Sequence, residues 1–132
     1  GCMNILGDYV VSLTRFATIA FDGSIDLTPS PGYARCYFEV ELITSGLMQI
    51  GFLDETSFNW DPESGKGVGD DKYSYAYDGY RRRKWRSDST SYGIYWTHGD
   101  IVGVLLDLDL KEVRFSVNGR DLGVAFSCLK VY

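Results

Sequence analysis

The sequence predicts an all-β fold: a two-sheet antiparallel β-sandwich with almost no helix. Three observations carry this. Apolar and polar residues alternate with a period of two in several separate runs, as in strands that bury one face. Turn-forming residues punctuate those runs at short intervals, the spacing of a sandwich. No segment sustains a 3.6-residue apolar period over about ten residues, so no amphipathic helix is expected.

The elements follow in chain order. Residues 9–13 and 15–21 are rich in β-branched and aromatic side chains and read as strands, with a turn at Asp22-Gly23. Two prolines and a glycine make residues 28–32 a loop. Residues 33–43 form a long strand, with Phe38, Val40 and Leu42 on one face and Glu39 and Glu41 on the other. Thr44-Ser45-Gly46 turns the chain, and residues 47–53 are expected to pair back. Residues 54–69 form a long loop, because Asp61-Pro62 and the glycines Gly65, Gly67 and Gly69 break any ladder.

The central stretch 67–85 organises the rest. Tyr73, Tyr75 and Tyr77 alternate with Ser74, Ala76 and Asp78, placing three tyrosines on one face of a strand. Asp78-Gly79 signals a hairpin, and a basic strand over 81–85 follows. On that strand Arg81 and Arg83 face one way and Arg82 and Lys84 the other, which thins out any basic patch. Residues 87–99 read as a second loop carrying Tyr92, Tyr95 and Trp96. In the strand 100–110, Val104, Leu106 and Leu108 oppose Asp107 and Asp109. Asp109-Leu110-Lys111-Glu112 turns it, and Val113, Phe115 and Val117 face inward. Asn118-Gly119 is a strong hairpin signal, closed by residues 122–126.

Composition narrows the function classes. The chain has 132 residues, 45% of them apolar and 15% aromatic, enough for one domain with a real core. A single domain over 1–132 is expected. The net charge of −5 disfavours nucleic acid as a partner, since that contact depends on neutralising phosphates. Most of that charge is expected to sit on solvated faces, an acidic block over 54–71 beside a basic one over 72–86. No apolar run approaches the ~18 residues of a bilayer span, so no membrane partner is expected. Cys2, Cys36 and Cys128 show no paired spacing and read as free thiols of a reducing compartment, which points to the cytoplasm.

Catalysis is not expected. His98, the only histidine, stands in a Thr97-His98-Gly99 loop with no serine or cysteine nucleophile motif around it. Gly65-Lys66-Gly67-Val68-Gly69 lacks the spacing and the following helix of a phosphate loop. Asp70-Asp71 has no distant acid partner of the glycosidase kind, and the acidic loop does not fit an EF-hand. No cofactor and no metal are expected.

Several stretches together resemble a SPRY domain, the core of PRY-SPRY modules. Tyr37-Phe38-Glu39-Val40-Glu41 resembles the family's opening strand, and Gln49-Ile50-Gly51-Phe52 its next. Gly67-Val68-Gly69-Asp70-Asp71 and Ser74-Tyr75-Ala76-Tyr77-Asp78-Gly79 resemble its central loop and strand. Gly99-Asp100-Ile101-Val102-Gly103 with Asp107-Leu108, and residues 115–126 from Phe115 to Phe126, resemble its later strand and hairpin. The closest likeness is to SPRY domains inside RING-type ubiquitin ligases; ryanodine receptors and Ran-binding scaffold proteins carry related copies. The family continues past the final hairpin with a further segment, where this chain stops at Tyr132, which implies a truncated or divergent end.

The resemblance implies a concanavalin-like sandwich that binds a peptide or protein surface where its loops converge, here 22–32, 54–71 and 87–99 beside the 78–82 turn. It also implies substrate recognition within a ubiquitin ligase or scaffold, with flanking domains such as a RING. The candidate contact residues are Asp54, Trp60, Asp78, Tyr80, Arg82 and Trp96. Asp54 directly follows a strand and offers a carboxylate. Trp60 is either an exposed anchor or a plug over the sandwich. Tyr80 and Arg82 are the residue types that dominate interface energies. Tyr75, Tyr77 and Trp85 are assigned to the core, and Asp70 and Asp71 to backbone hydrogen bonds that hold their loop. Two other readings stand beside this one. The aromatic loops with Trp60, Tyr92, Tyr95 and Trp96 would suit a carbohydrate-binding sandwich. A purely structural domain of a larger assembly would have an open sheet edge paired by another chain.

Overall fold

The alternating runs resolve into two 4-stranded antiparallel sheets. The computed structural model describes residues 18–20 and 35–129. In chain order the strands are β1 (Arg35–Glu41), β2 (Ile50–Leu53), β3 (Ser74–Asp78), β4 (Arg83–Arg86), β5 (Asp88–Ser91), β6 (Ile101–Asp107), β7 (Glu112–Val117) and β8 (Arg120–Phe126). The first sheet has the order β1-β6-β7-β8 and the second β2-β3-β4-β5. The strand over 9–13, the turn at Asp22-Gly23 and the loop 28–32 lie outside the described residues. So does most of 15–21, whose described part, 18–20, has no regular structure.

The first sheet follows its alternation closely. Register pairs Phe38 with Val104 and Val40 with Val102, and Val104 in turn pairs with Phe115. Val102, Val104, Val113, Phe115 and Val117 are buried on its inner face. The second sheet answers with Tyr77, which is fully buried. Aromatic edges tie the layers together: Phe38 to Phe52 at 5.4 Å, Tyr75 to Phe126 at 5.1 Å and Tyr77 to Phe115 at 5.3 Å between ring centroids. Asn118 and Gly119 both have positive φ, 50° and 79°, the geometry that a tight hairpin needs. Among the described residues, helix is confined to one 3-10 turn, Pro62–Ser64, capped by the Asp61 carboxylate on the Glu63 amide at 2.9 Å.

Four expectations change. Residues 47–53 do not pair back on the preceding strand: β2 is only Ile50–Leu53 and pairs with β3 in the other sheet. Gly51 permits that close approach, since a Cβ there would lie 1.8 Å from the Tyr75 carbonyl oxygen. The Asp78-Gly79 hairpin is wider than a two-residue turn, because Asp78 pairs with Arg83 and residues 79–82 form the connection. Arg81 and Arg82 therefore stand in the turn, and only Arg83 and Lys84 point to opposite faces of a strand. The 87–99 loop contains the edge strand β5, whose polar Asp-Ser-Thr-Ser run has no apolar alternation to reveal it. Finally, Cys36 is disulfide-bonded, while Cys128 is an exposed free thiol.

The second sheet is covered on its outer face as well. Ser74, Ala76 and Asp78 are buried there because the 67–71 loop folds across them. The Gly69 amide donates to Ser74 Oγ at 2.7 Å, and Gln49 Nε2 donates to Val68 O at 2.6 Å and to Asp70 Oδ1 at 3.1 Å. Asp70 accepts the Gly67 amide at 2.7 Å and Asp71 the Tyr73 amide at 2.9 Å, so both acids hold the loop. Along β8, the last strand of the first sheet, the Gly123 carbonyl accepts Tyr92 Oη at 2.7 Å and the Ala125 carbonyl accepts Lys84 Nζ. Lys84 reaches that position between the rings of Tyr92 and Phe126, 5.9 and 5.4 Å from their centroids.

Candidate functional site

The turn at 79–82 is built from Asp78 outward. Asp78 is fully buried at the end of β3, and its carboxylate accepts the Arg81 amide at 3.0 Å and pairs with Arg81 Nε. The Arg81 guanidinium also lies 4.6 Å over the Trp85 ring and donates to Gln49 Oε1 at 3.2 Å. Arg81 is thus consumed in holding the turn. Arg82, next in the chain, has φ 59°, an arrangement that costs a residue with a Cβ about 1 kcal/mol. Its guanidinium lies 5.8 Å from the Tyr95 ring centroid, and its carbonyl accepts the Tyr92 amide at 3.1 Å. Tyr80 is 54% exposed and Tyr95 69%.

Trp96 holds this end of the sandwich together from inside. It is only 6% exposed and packs edge-on against Tyr77 at 5.2 Å. Its amide donates to the Gly79 carbonyl at 3.0 Å, and its Nε1 donates to the Gly46 carbonyl at 3.3 Å. Gly79 lies flat on the indole, where a Cβ would come within 2.3 Å of the ring. One buried ring therefore fixes three segments, 43–48, 79–82 and 94–97. The first of these exposes Ile43 and Leu47. The Leu42 carbonyl accepts the Gly99 amide, and Asp100 caps the same end by accepting the Thr97 amide at 2.9 Å and Asn118 Nδ2 at 2.9 Å. Those two bonds, the Thr97 amide first, hold the Asp100 carboxyl below the usual aspartate range. Burial raises the Tyr77 phenol, which donates to the Ile94 carbonyl.

The six sequence candidates do not converge. Asp54 follows β2 where β3 begins, its amide bonded to the Tyr73 carbonyl at 2.8 Å, so it stands at the opposite end of β3 from Asp78. Its carboxylate accepts the Thr56 amide at 3.1 Å and Ser57 Oγ at 3.3 Å. Trp60 stays at that far end. It is 44% exposed, donates to the Glu55 carbonyl at 3.1 Å and packs edge-on against buried Phe58 at 5.0 Å, so it is partly plug and partly exposed. Asp78 and Trp96 are inside the structure and cannot touch a partner directly; they position Tyr80 and Arg82, which do reach solvent. Tyr95, Ile43 and Leu47, exposed on the segments that Trp96 ties to this turn, were not among the candidates. The signal for Tyr95 was its neighbour: in the pair Tyr95-Trp96 one ring must turn in and the other out.

Chemistry of other kinds finds little purchase. A shallow groove of about 210 Å³ lies on the outer face of the first sheet, lined by Tyr37, Gly103, Leu105, Arg114, Ser116 and Asp121. That is smaller than a typical small-molecule pocket of roughly 300 Å³ or more. Its Arg114 is engaged by Glu112 and Asp121. Among the described residues no three His, Cys, Asp or Glu side chains gather as a metal site, and no helix is long and apolar enough to cross a membrane.

A family model for the SPRY domain matches residues 35–131. The chain belongs to the SPRY family. It is therefore a protein-interaction module on an all-β sandwich. It is similar to the E3 ubiquitin-protein ligase RKP of Arabidopsis thaliana, 41% identical over 93 residues, which is 70% of this chain and 7% of RKP. It is also similar to the dual specificity protein kinase splA of Dictyostelium discoideum, 32% identical over 142 residues, covering 94% of this chain and 6% of splA. The chain thus spans only a small part of either relative's length.

Proposed function

We propose that this SPRY domain binds a short peptide or partner surface through the loop cluster around Tyr80, Arg82 and Tyr95, and that it recognises substrate for a ubiquitin ligase or scaffold. The observation that carries this reading is the exposure of Ile43, Leu47, Tyr80 and Tyr95 together at one end, on loops fixed by a buried tryptophan. A rigid frame beneath exposed aromatics and an arginine is the usual composition of an interface hot spot. The similarity to a protein named a ubiquitin ligase supports the substrate-recognition role. We take residues 1–132 as one such domain, non-catalytic, working beside flanking domains such as a RING, with neither nucleic acid nor membrane as partner. Asp54 and Trp60 would form a separate contact at the far end.

The carbohydrate reading loses its stacking platforms at Trp96, which is buried, and at Tyr92, whose hydroxyl is committed to the Gly123 carbonyl. A cytoplasmic location fits the ligase reading, whereas a disulfide at Cys36 pulls toward an oxidising compartment. Thiol labelling in cell extracts before and after reduction decides between them.

The site is tested by placing a photo-crosslinking amino acid at position 80 or at position 60 and irradiating cells. We expect partner adducts from position 80, increasing when the proteasome is inhibited. Adducts from position 60 alone would move the site to the Asp54 end.

A further inference from the structure

We propose, resting on that site, that the partner presents a carboxylate side chain next to an apolar one, the carboxylate on Arg82 and the apolar group among Ile43, Leu47 and Tyr80. Three observations lead there. First, the described acids at this end are already spoken for. Asp78 is spent on Arg81, and Asp100 on the Thr97 amide and Asn118. Among the described residues no carboxylate lies within ion-pair distance of Arg82.

Second, the guanidinium is partly preorganised. The backbone at Arg82 is fixed by its left-handed φ and by the Tyr92 amide on its carbonyl, and the side chain rests toward the Tyr95 ring. A guanidinium with an aromatic ring against its face keeps its N–H edge available, and that planar fork matches a carboxylate with two parallel hydrogen bonds. Holding it in place reduces the entropy lost on binding. Third, Ile43, Leu47 and Tyr80 are 64%, 58% and 54% exposed on segments that Trp96 ties to this turn, so apolar surface is presented at the same end as the charge. A carboxylate alone would leave that surface wet, and an apolar side chain alone would desolvate Arg82 without a partner. Only the two together satisfy both.

The test is selection of a random heptapeptide display library on the 132-residue chain. Wild type, Arg82→Gln, Tyr80→Ala and Asp54→Ala are compared, with heat-denatured protein as background. We expect peptides enriched in Asp or Glu beside a bulky apolar residue. Their synthetic forms should bind about tenfold more weakly to Arg82→Gln, as loss of one charged hydrogen-bonding pair implies. Changing the peptide acid to its amide should cost a similar factor, and the two losses should not add. Binding should weaken as NaCl rises. Phosphoserine in place of the acid should bind no better, since a single arginine meets it.

Peptides without an enriched acid, or binding indifferent to Arg82→Gln but lost in Tyr80→Ala, would overturn the carboxylate inference and leave the site standing. Binding lost in Asp54→Ala and retained in Tyr80→Ala and Arg82→Gln would overturn both. Enrichment no greater than on denatured protein would also count against both.

Discussion

Replacing Trp96 with alanine separates a contact residue from a structural one. As a contact, Trp96 would be dispensable for folding; as the ring that fixes three loops, it would not. The indole is 6% exposed, packs against Tyr77 at 5.2 Å, leaves no room for a Cβ at Gly79 and donates to the Gly46 carbonyl at 3.3 Å. Truncation opens a ring-sized void and removes that donor. Buried Trp→Ala changes cost about 3–5 kcal/mol, a large share of the roughly 5–15 kcal/mol that holds a domain. With a urea slope of about 2 kcal/mol per molar, the unfolding midpoint should fall by roughly 2 M. Tyr80→Ala, at an exposed position, should stay within about 0.5 kcal/mol of wild type. Equilibrium unfolding followed by far-UV circular dichroism measures both, without relying on the fluorescence that the first variant loses. A Trp96→Ala midpoint within about 0.25 M of wild type would refute the structural role.

Three further outcomes are expected. Asp78→Ala strands Arg81 at the buried end of β3 and should cost about 3 kcal/mol by chemical denaturation; this is the low end for a broken buried pair because Arg81 is 38% exposed. Gly51→Ala drives a methyl into the Tyr75 carbonyl and should separate β2 from β3, read as lost amide-exchange protection at Ile50–Leu53 and a destabilisation of about 3 kcal/mol. The Asp100 carboxyl is held below its ordinary value by the Thr97 amide, so its contribution is present above the unfolded aspartate pKa of about 4 and is lost as pH falls through the lower folded value. Asp100→Asn should flatten the stability profile in that acidic window and leave its slope near neutral pH unchanged.

The first sheet was legible because β1 and β7 alternate in burial along their length, so Phe38 and Phe115 declare their direction and the register carries Val104 with them. The second sheet was harder. Both its faces are covered, so Ser74 and Asp78, read as the non-tyrosine face, are as buried as Tyr77. Adjacency in sequence suggested that β2 folds back on β1, yet only register with Tyr77 and Ser74 places it, and that is a long-range fact. β5 has no apolar residue to betray it. At the site, local sequence was a poor guide to position. Tyr80 was expected beside the turn and is exposed there, but Arg82, read as part of the basic strand, stands in the connection because β4 begins only at Arg83. Trp96 looked like a loop aromatic because nothing local shows that Gly79 lies against it. Asp54 and Tyr80 are close in kind but belong to opposite ends of one strand, a separation that only the β2–β3 pairing reveals.

The clasp of Tyr92 and Lys84 on the Gly123 and Ala125 carbonyls has a consequence for how the two layers stay shut. The ladder between β7 and β8 slips out of register beside both carbonyls. Backbone groups that a slipped ladder strands would otherwise draw water inward. Here a phenol from the other layer takes the Phe115 amide and the Gly123 carbonyl together, and an ammonium takes the Ala125 carbonyl. Because the ammonium sits between two rings, prying the layers apart would expose it and them at once.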